Sequence, residues 1–480
     1  MKGLVWFRSD LRTDDNPALK SAFEQCNEII AIYLYSPKQA ILHNESNIKN
    51  DFIIKNLKSL GSKLKSLNVS LIIKKSEGFD QDPSIINSFV VEHNIDKVFI
   101  NKQFGFDENE RDTNITSLLS ASNIDIEKFN DQIIYEAGFL KTGQGNPFSV
   151  FTPFKRRWVE NFDMNFLDID YQYKEKSINS SQGNYEDFNY EFESTHGVDM
   201  SLWLHGEESA LHRLNEFLAI KAPNYSTNRN DPILDGTSRI SPYLATGVIS
   251  SRRCILEALK LNNFEFTSGN KGYTKWIDEI VWREFYRNIM HSFPKVSKGK
   301  PFQDYTNAIK WRYDEDEFNT WINGMTGFPI IDAAMRQLKA EGWMHNRLRM
   351  VVAMFFTKNM LHDWRLGEKF FMESLIDADF ASNNGGWQWS SSTGTDAAPY
   401  FRIFNPILQG EKFDKEGLYV KKWVPELNNV PKKFIHKPWE MELKYQEAIK
   451  TIIGKDYPKP IVIHEKARAA ALEAFQSLKK

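Results

Sequence analysis

The chain has 480 residues, 41% hydrophobic and 26% charged with a net charge of −2, a composition that excludes a disordered or collagenous polymer and suffices for two separately packed cores. Two cysteines, Cys26 and Cys254, exclude a disulfide framework and a cysteine-ligated zinc. No apolar run reaches the length of about 18 residues that a membrane span needs, and "MKGLVWFRSDLR" lacks a signal-peptide core, so the expected setting is reducing and cytoplasmic.

Residues 1–200 carry 22 Lys and Arg against 30 Asp and Glu, a net −8, which leaves residues 201–480 at +6. A polyanion would therefore dock on the second half, although ordinary surface chemistry also accounts for a surplus of that size.

In chain order, short β-branched runs come first: "LVWF" at 4–7, "IIAIYLY" at 29–35, "VSLIIKK" at 69–75, "KVFINK" at 97–102 and "DQIIYE" at 131–136. Helical patterns at 47–68 and 84–94 separate them. Continuous apolar strands alternating with helices predict an α/β domain over 1–135, a doubly wound parallel sheet. It lacks G-x-G-x-x-G after the first strand, so the usual dinucleotide fingerprint is missing. Residues 136–204 read as an inter-domain connector; its acidic, aromatic and non-periodic part, 160–200, should wrap the surface with Phe and Tyr as tacks. From 205 to 475 the 3.6-residue period prevails in "EESALHRLNEFLAI", "DEIVWREFYRNIMHSF", "IDAAMRQLKAEG", "RLRMVVAMFFTKNML" and "EKFFMESLID", predicting a large all-α domain.

Four stretches carry chemistry. Glu279, Trp282, Arg283 and Tyr286 stand at i, i+3, i+4 and i+7, one helix face mixing a carboxylate, an indole, a guanidinium and a phenol. Such a face suits a flat, hydrogen-bonding ligand; a solvated face with an incidental Trp is the competing reading. In "GTSRISPYLATG", 236–247, Ser241 and Pro242 have the form of an N-cap and first-turn proline, with Thr237 and Ser238 adding hydroxyls upstream. This is either a pyrophosphate cradle or an ordinary capped helix. In "GWMHNRLRMVVAMFF", Arg347 and Arg349 need partners that Asp377 and Asp379 of "LIDADF" offer; exposed pairs on separate helices fit as well. Finally "NNGGWQWSSSTGTDAAPYF", 383–401, sets two tryptophans among residues favouring neither helix nor strand, and reads as a loop, either pinned to the core by its indoles or lining a cavity.

Taken together, "LVWFRSDLRTDDNPAL", "GTSRISPYLATG", "EIVWREFYR", "GWMHNRLRM" and "NNGGWQWSSSTGTDAAPYFRIFNP" resemble the photolyase–cryptochrome flavoproteins across essentially the whole chain, most closely the class I cyclobutane-pyrimidine-dimer branch. The resemblance implies FAD folded into a U in the helical domain and light-driven splitting of pyrimidine dimers in UV-damaged DNA, by electron transfer from FAD in its reduced FADH− form. It implies that Tyr225, Thr237, Ser238, Arg239, Ile240 and Ser241 cradle the phosphates, that Trp276, Arg349, Asp377, Ala378 and Asp379 surround the bent cofactor, and that Asn383 lies near flavin N5. Trp387, Trp364 and Trp311 look like an electron-transfer chain to the surface. Glu279 and Asn346 would hydrogen-bond the flipped dimer, Trp282, Met350 and Trp389 would wall it, and Tyr286 shares that face. Arg229, Arg283, Arg347 and Arg402 are implied phosphate contacts.

Asn346, Asn383 and Trp282 match the dimer-repairing branch in place of its relatives; the competing reading is a cryptochrome-type blue-light receptor without repair activity. For a second pigment, Asn109, Glu110 and Lys298 favour methenyltetrahydrofolate as antenna, with a deazaflavin or no pigment as alternatives. No metal is implied, and a monomer meeting DNA at the nucleoid is expected.

Overall fold

The computed structural model of the protein describes residues 1–173 and 197–479. Five parallel strands, β1 (Lys2–Phe7), β2 (Glu28–Tyr35), β3 (Ser70–Lys75), β4 (Lys97–Asn101) and β5 (Asp125–Phe129), form one sheet in the order β3-β2-β1-β4-β5. Lys2 pairs with Glu28 and Gly3 with Lys97, so β1 is central, and Leu4, Val5, Trp6 and Phe7 are buried on both faces. Helices α1 (Pro17–Gln25), α2 (Asn47–Ser66), α3 (Asp82–Glu92) and α4 (Phe106–Ala121) connect them. The order reverses between β1 and β4, and in such sheets ligands bind in the crevice beyond the carboxyl ends of the strands at that reversal.

The expected fifth strand at 131–136 is a correction. The edge strand is "DIEKF", 125–129, and the more apolar segment after it turns toward the helical domain, where Glu284 accepts hydrogen bonds from the backbone N–H of Ile134 (2.9 Å) and Tyr135 (3.2 Å). A side-chain carboxylate thus replaces a sheet neighbour. The expected connector contains helix α5 (Phe151–Glu160). Its aromatic tacks do pack: Phe162 lies 4.5 Å from Phe266 and Tyr173 4.7 Å from Phe23, centroid to centroid. The remainder of the stretch, 174–196, lies outside the described residues.

The second domain is helical as the periodicity indicates. Its main elements are α6 (Glu207–Glu216), α7 (Ser241–Thr246), α8 (Ser251–Leu261), α9 (Lys271–Ser292), α10 (Pro329–Glu341), α11 (Asn346–Met354), α12 (Trp364–Ser374), α13 (Phe380–Ser391), α14 (Pro406–Phe413) and α15 (His464–Gln476). Buried charges bolt it to the sheet domain: Arg12 bonds Asp131, and Arg252 reaches both Asp15 and Asp131. Arg252 and Asp131 are each paired twice, and shared partners of this kind keep buried charge tolerable.

The expected loop at 383–401 is also a correction, because its first nine residues complete α13. Asp379 caps that helix, accepting from the Ser382 N–H at 2.9 Å. Packing then overrides the poor propensity of Asn, Gly and Ser. A Cβ on Gly385 would come within 2.2 Å of the Tyr286 ring, and one on Gly367 within 2.1 Å of the Trp387 ring. The glycines are the contact points through which α13 is pressed onto α9 and α12. Among the described residues no helix is long and apolar enough to cross a membrane.

Candidate functional site

Helices α11, α12 and α13 line a cavity of about 140 Å³ that opens to solvent. Asn346, Arg349, Met350, Asp377, Asp379, Asn383 and Trp387, residues singled out in three separate stretches of sequence, line it together. Gly386 lines it too, and a Cβ there would meet nothing within 4 Å, so a flat ligand can approach the backbone. At one end Arg349 donates to both Asp377 carboxylate oxygens, at 3.0 and 2.8 Å, while Ser241 Oγ donates to Asp377 at 2.6 Å. The open choice between buried and exposed Arg–Asp pairs is therefore settled for this pair, with Asp377 6% exposed.

Asp379 pairs instead with Arg287 of α9. Burial alone would raise its carboxyl, but Arg287 and Arg283 hold it well below the usual carboxylate range, so it stays ionised beside the cavity. Asn383 donates to the Glu368 carbonyl at 2.9 Å, which fixes the orientation of its amide.

The 236–241 turn differs from a simple capped helix. Ile240 precedes α7 and Ser241 is its first helical residue, a correction to the expected N-cap role; the Ser241 hydroxyl is committed to Asp377 rather than to its own helix. Ser238 Oγ accepts from Trp276 Nε1 at 3.3 Å and, at 3.4 Å, from the Ile240 N–H. Arg239 adopts a left-handed backbone (φ +47°) and lies over Trp343 at 4.5 Å while bonding Glu341 at 3.3 Å. That strained residue between two hydroxyls exposes polar groups in the manner of an anion-binding turn. Thr237 is half-buried beside it, and Tyr225 is buried under Arg229, whose guanidinium lies 5.4 Å from its ring.

Along α9, Trp276, Glu279, Trp282 and Tyr286 follow one another as the spacing requires. Glu279 is ion-paired with Arg229 and 3.8 Å from Lys275. Trp282 is half-buried and flat against Phe151. Arg347 bonds Asn230 Oδ1 at 2.8 and 3.1 Å and lies 4.7 Å from the Phe413 ring, half-buried. His345 caps α11, its Nδ1 accepting from the Arg347 N–H at 3.2 Å. Burial, reinforced by Arg347, Arg349, Arg239 and Arg229, pushes the imidazole down to about 3, so it is a neutral acceptor there. Arg402 and Asn346 are exposed and Trp389 half-buried.

Arg283 is a correction. Its guanidinium donates to the carbonyls of Gln132 at 2.6 Å and Leu244 at 3.1 Å, which turns it to the domain junction and away from any phosphate. Burial and neighbouring Arg287 push it down to about 9.

Of the three tryptophans Trp387, Trp364 and Trp311, the first two are buried, at 2% and 0% exposed, and Trp311 is half-buried. Phe371 and Phe356 contact Trp387 at 5.0 and 5.9 Å.

A second cavity occupies the crevice beyond β1 and β4 and is lined by Ser9, Gln103, Phe106, Ser297 and, on the helical side, Ala378 and Asp379. Asn109 and Glu110 do not line it; both are exposed, with Asn109 bonded to the Gly105 carbonyl at 2.7 Å. Lys298 reaches its rim, 3.5 Å from the Phe106 ring. Sequence reading missed Phe151, Arg287 and the packing glycines 367 and 385; only the glycines inside a helical stretch left a signal.

Two family descriptions cover most of the chain: DNA photolyase over residues 3–172 and the FAD binding domain of DNA photolyase over residues 276–477. Deoxyribodipyrimidine photo-lyases of Salmonella typhimurium and Escherichia coli are each 39% identical, over 99% of this chain and 99% of theirs. The crystal structure of a bacterial class III photolyase from Agrobacterium tumefaciens superimposes with a TM-score of 0.90 at 35% identity, covering 100% of this chain and 98% of that one. Light-dependent DNA repair by a deoxyribodipyrimidine photo-lyase is the activity that these relatives and this fold support. An α/β sheet domain joined to a helical FAD-binding domain, matched along its whole length, makes this chain a member of the DNA photolyase family.

Proposed function

We propose that the helical domain holds FAD in the cavity between α11, α12 and α13 and receives a cyclobutane pyrimidine dimer, flipped out of DNA, at that cavity's mouth. The observation carrying this is that Asn346 and Met350, assigned to the lesion, line the same space as Asp377, Asn383 and Gly386, assigned to the cofactor. No wall of main chain divides the two ligands.

The residues present fit FAD. The 237–241 turn offers hydroxyls and backbone for the phosphates, the Arg349–Asp377 pair supplies a fixed carboxylate, and Gly386 leaves room for a ring. When bound and reduced, FAD supplies light-driven one-electron chemistry. The chain contributes placement and electrostatics. Asn383, held by the Glu368 carbonyl, directs its amide into the cavity, and Asp379 stays charged through Arg287. Glu279 and Asn346 hydrogen-bond the dimer as charge develops on it. Trp282, Met350 and Trp389 give the everted bases an apolar wall, and Arg229, Arg347 and Arg402 take flanking phosphates. Flipping costs a few kcal/mol, less for a dimer that already pairs and stacks poorly.

For the antenna we read folate in the crevice between the domains, with Lys298 at its rim. A deazaflavin is favoured by a different observation: an adjoining cavity is lined by Trp6 and Arg8, whose Nε1 and Nε are buried with no hydrogen-bond partner among the described residues. A pterin band below about 400 nm in the purified protein identifies the first.

The flipping test uses 2-aminopurine opposite the dimer. Its fluorescence rises on binding if the lesion leaves the stack; an unchanged signal at saturating protein overturns the flipped geometry.

A further inference from the structure

Trp282 and Trp389 sit on different helices, α9 and α13, yet both must face one lesion. Two braces join them. The first is the Tyr286–Gly385 contact, where the ring 5.6 Å from Trp282 occupies the space of a missing Cβ on α13. The second runs through a residue from outside the helical domain. Phe151, the first residue of α5, lies flat on the Trp282 indole, with centroids 3.7 Å apart and planes 9° from parallel.

The start of α5 has no cap of its own. Val150 precedes it and has no side-chain acceptor to offer, so the Phe151 N–H would be an orphan donor. Asp396, 245 residues away, accepts that hydrogen at 3.1 Å, and Thr395 Oγ1 donates to the Ser149 carbonyl at 2.6 Å. Asp396 belongs to the segment that continues α13 past Trp389: the Ala398 N–H returns to the Trp389 carbonyl at 3.2 Å. Asp396 has a left-handed backbone (φ +45°), a strain held only where neighbours enforce it. A closed circuit results, from Trp282 through Phe151 and Asp396 to Trp389 and back through Gly385 and Tyr286.

We propose that Phe151, tethered by Asp396, is a positioning residue for lesion recognition: it sets the plane of the Trp282 indole and makes Trp282 and Trp389 one rigid jaw. The proposal rests on the reading of Trp282 as a wall of the lesion site. It assigns Phe151 no contact with the lesion or the cofactor.

The test measures affinity of the FAD-containing protein for an oligonucleotide carrying one cyclobutane dimer and for the same oligonucleotide undamaged. Phe151→Leu should weaken lesion binding about fivefold, the worth of a stacked aromatic pair, with binding to undamaged DNA and FAD content unchanged. Phe151→Met, close in volume to Leu, runs in parallel and should behave alike. Phe151→Tyr, which keeps the flat ring, should restore lesion affinity to within about twofold. Asp396→Gly keeps the backbone conformation but removes the carboxylate, and should reproduce the Phe151→Leu pattern. Equal loss for damaged and undamaged DNA, loss of FAD, or failure of Tyr to rescue overturns the proposal. Trp282→Ala separates the two layers. If it loses lesion affinity while Phe151→Leu does not, the brace is wrong; if it loses none, the wall reading falls and takes the brace with it.

Discussion

Arg349 and Asp377 form a two-oxygen ion pair at 3.0 and 2.8 Å that closes one end of the α11–α13 cavity. Removing one partner leaves a carboxylate only 6% exposed without its countercharge, which typically costs 3–5 kcal/mol when a buried pair is broken. Arg349→Leu should therefore be purified with under about a tenth of the wild-type flavin, read as absorbance near 450 nm against protein absorbance. Full flavin retention would show that the pair is not part of the cofactor site.

Glu279 is held by Arg229 before any lesion arrives. Glu279→Ala should lower repair per absorbed photon about tenfold, in line with a charge-assisted hydrogen bond, while dimer affinity changes less than about threefold. Equal losses in both would reject a role confined to the reacting dimer.

Of Trp387, Trp364 and Trp311, which we propose as an electron relay, only Trp311 reaches solvent. Trp311→Phe should block photoreduction of oxidised flavin by an external donor and leave repair by chemically reduced protein intact. Loss of both activities would break the relay assignment.

Arg347 is half-buried against Phe413, its guanidinium nitrogens turned to a neutral Asn230 oxygen and the Met350 sulfur. Arg347→Ala should reduce the salt dependence of DNA binding by about one phosphate, a change of roughly 0.7–0.9 in the slope of log K against log salt. An unchanged slope removes it from the phosphate contacts.

Glu284 gives the domain junction a pH dependence. Burial, only partly offset by the Ile134 and Tyr135 N–H groups, pushes its carboxyl up to about 7. Because the folded pKa exceeds the unfolded one, the folded state binds more protons between about 4.5 and 7. The stability from this group is therefore present at low pH and lost as pH rises through 7. Glu284→Gln should flatten that decline in a thermal-unfolding series; an unaltered pH profile would show that Glu284 titrates normally.

The strands at 4–7, 29–35, 69–75 and 97–102 were legible because buried parallel strands are continuous apolar runs, and α9 because Glu279, Trp282 and Tyr286 recur at helical spacing. What was not legible is decided by distant partners. "DIEKF" is a strand only because it pairs with β4, and "DQIIYE" is not one because Glu284 takes its N–H groups. α13 is a helix because Tyr286 and Trp387 fill the spaces left by Gly385 and Gly367, which local propensity does not register. Arg283 has the right residue type and face for a phosphate contact, and only the positions of the Gln132 and Leu244 carbonyls withdraw it.

The central claim, that one hollow brings FAD and an everted dimer together, is tested most directly by illuminating dimer-containing DNA with the reduced, FAD-loaded protein and counting dimers over time. Loss of dimers in blue or near-UV light, none in darkness, and little with the Glu279→Ala protein is the predicted result. Dimers that persist under light, in protein that binds FAD and lesion normally, would contradict it and leave a light receptor in place of a repair enzyme.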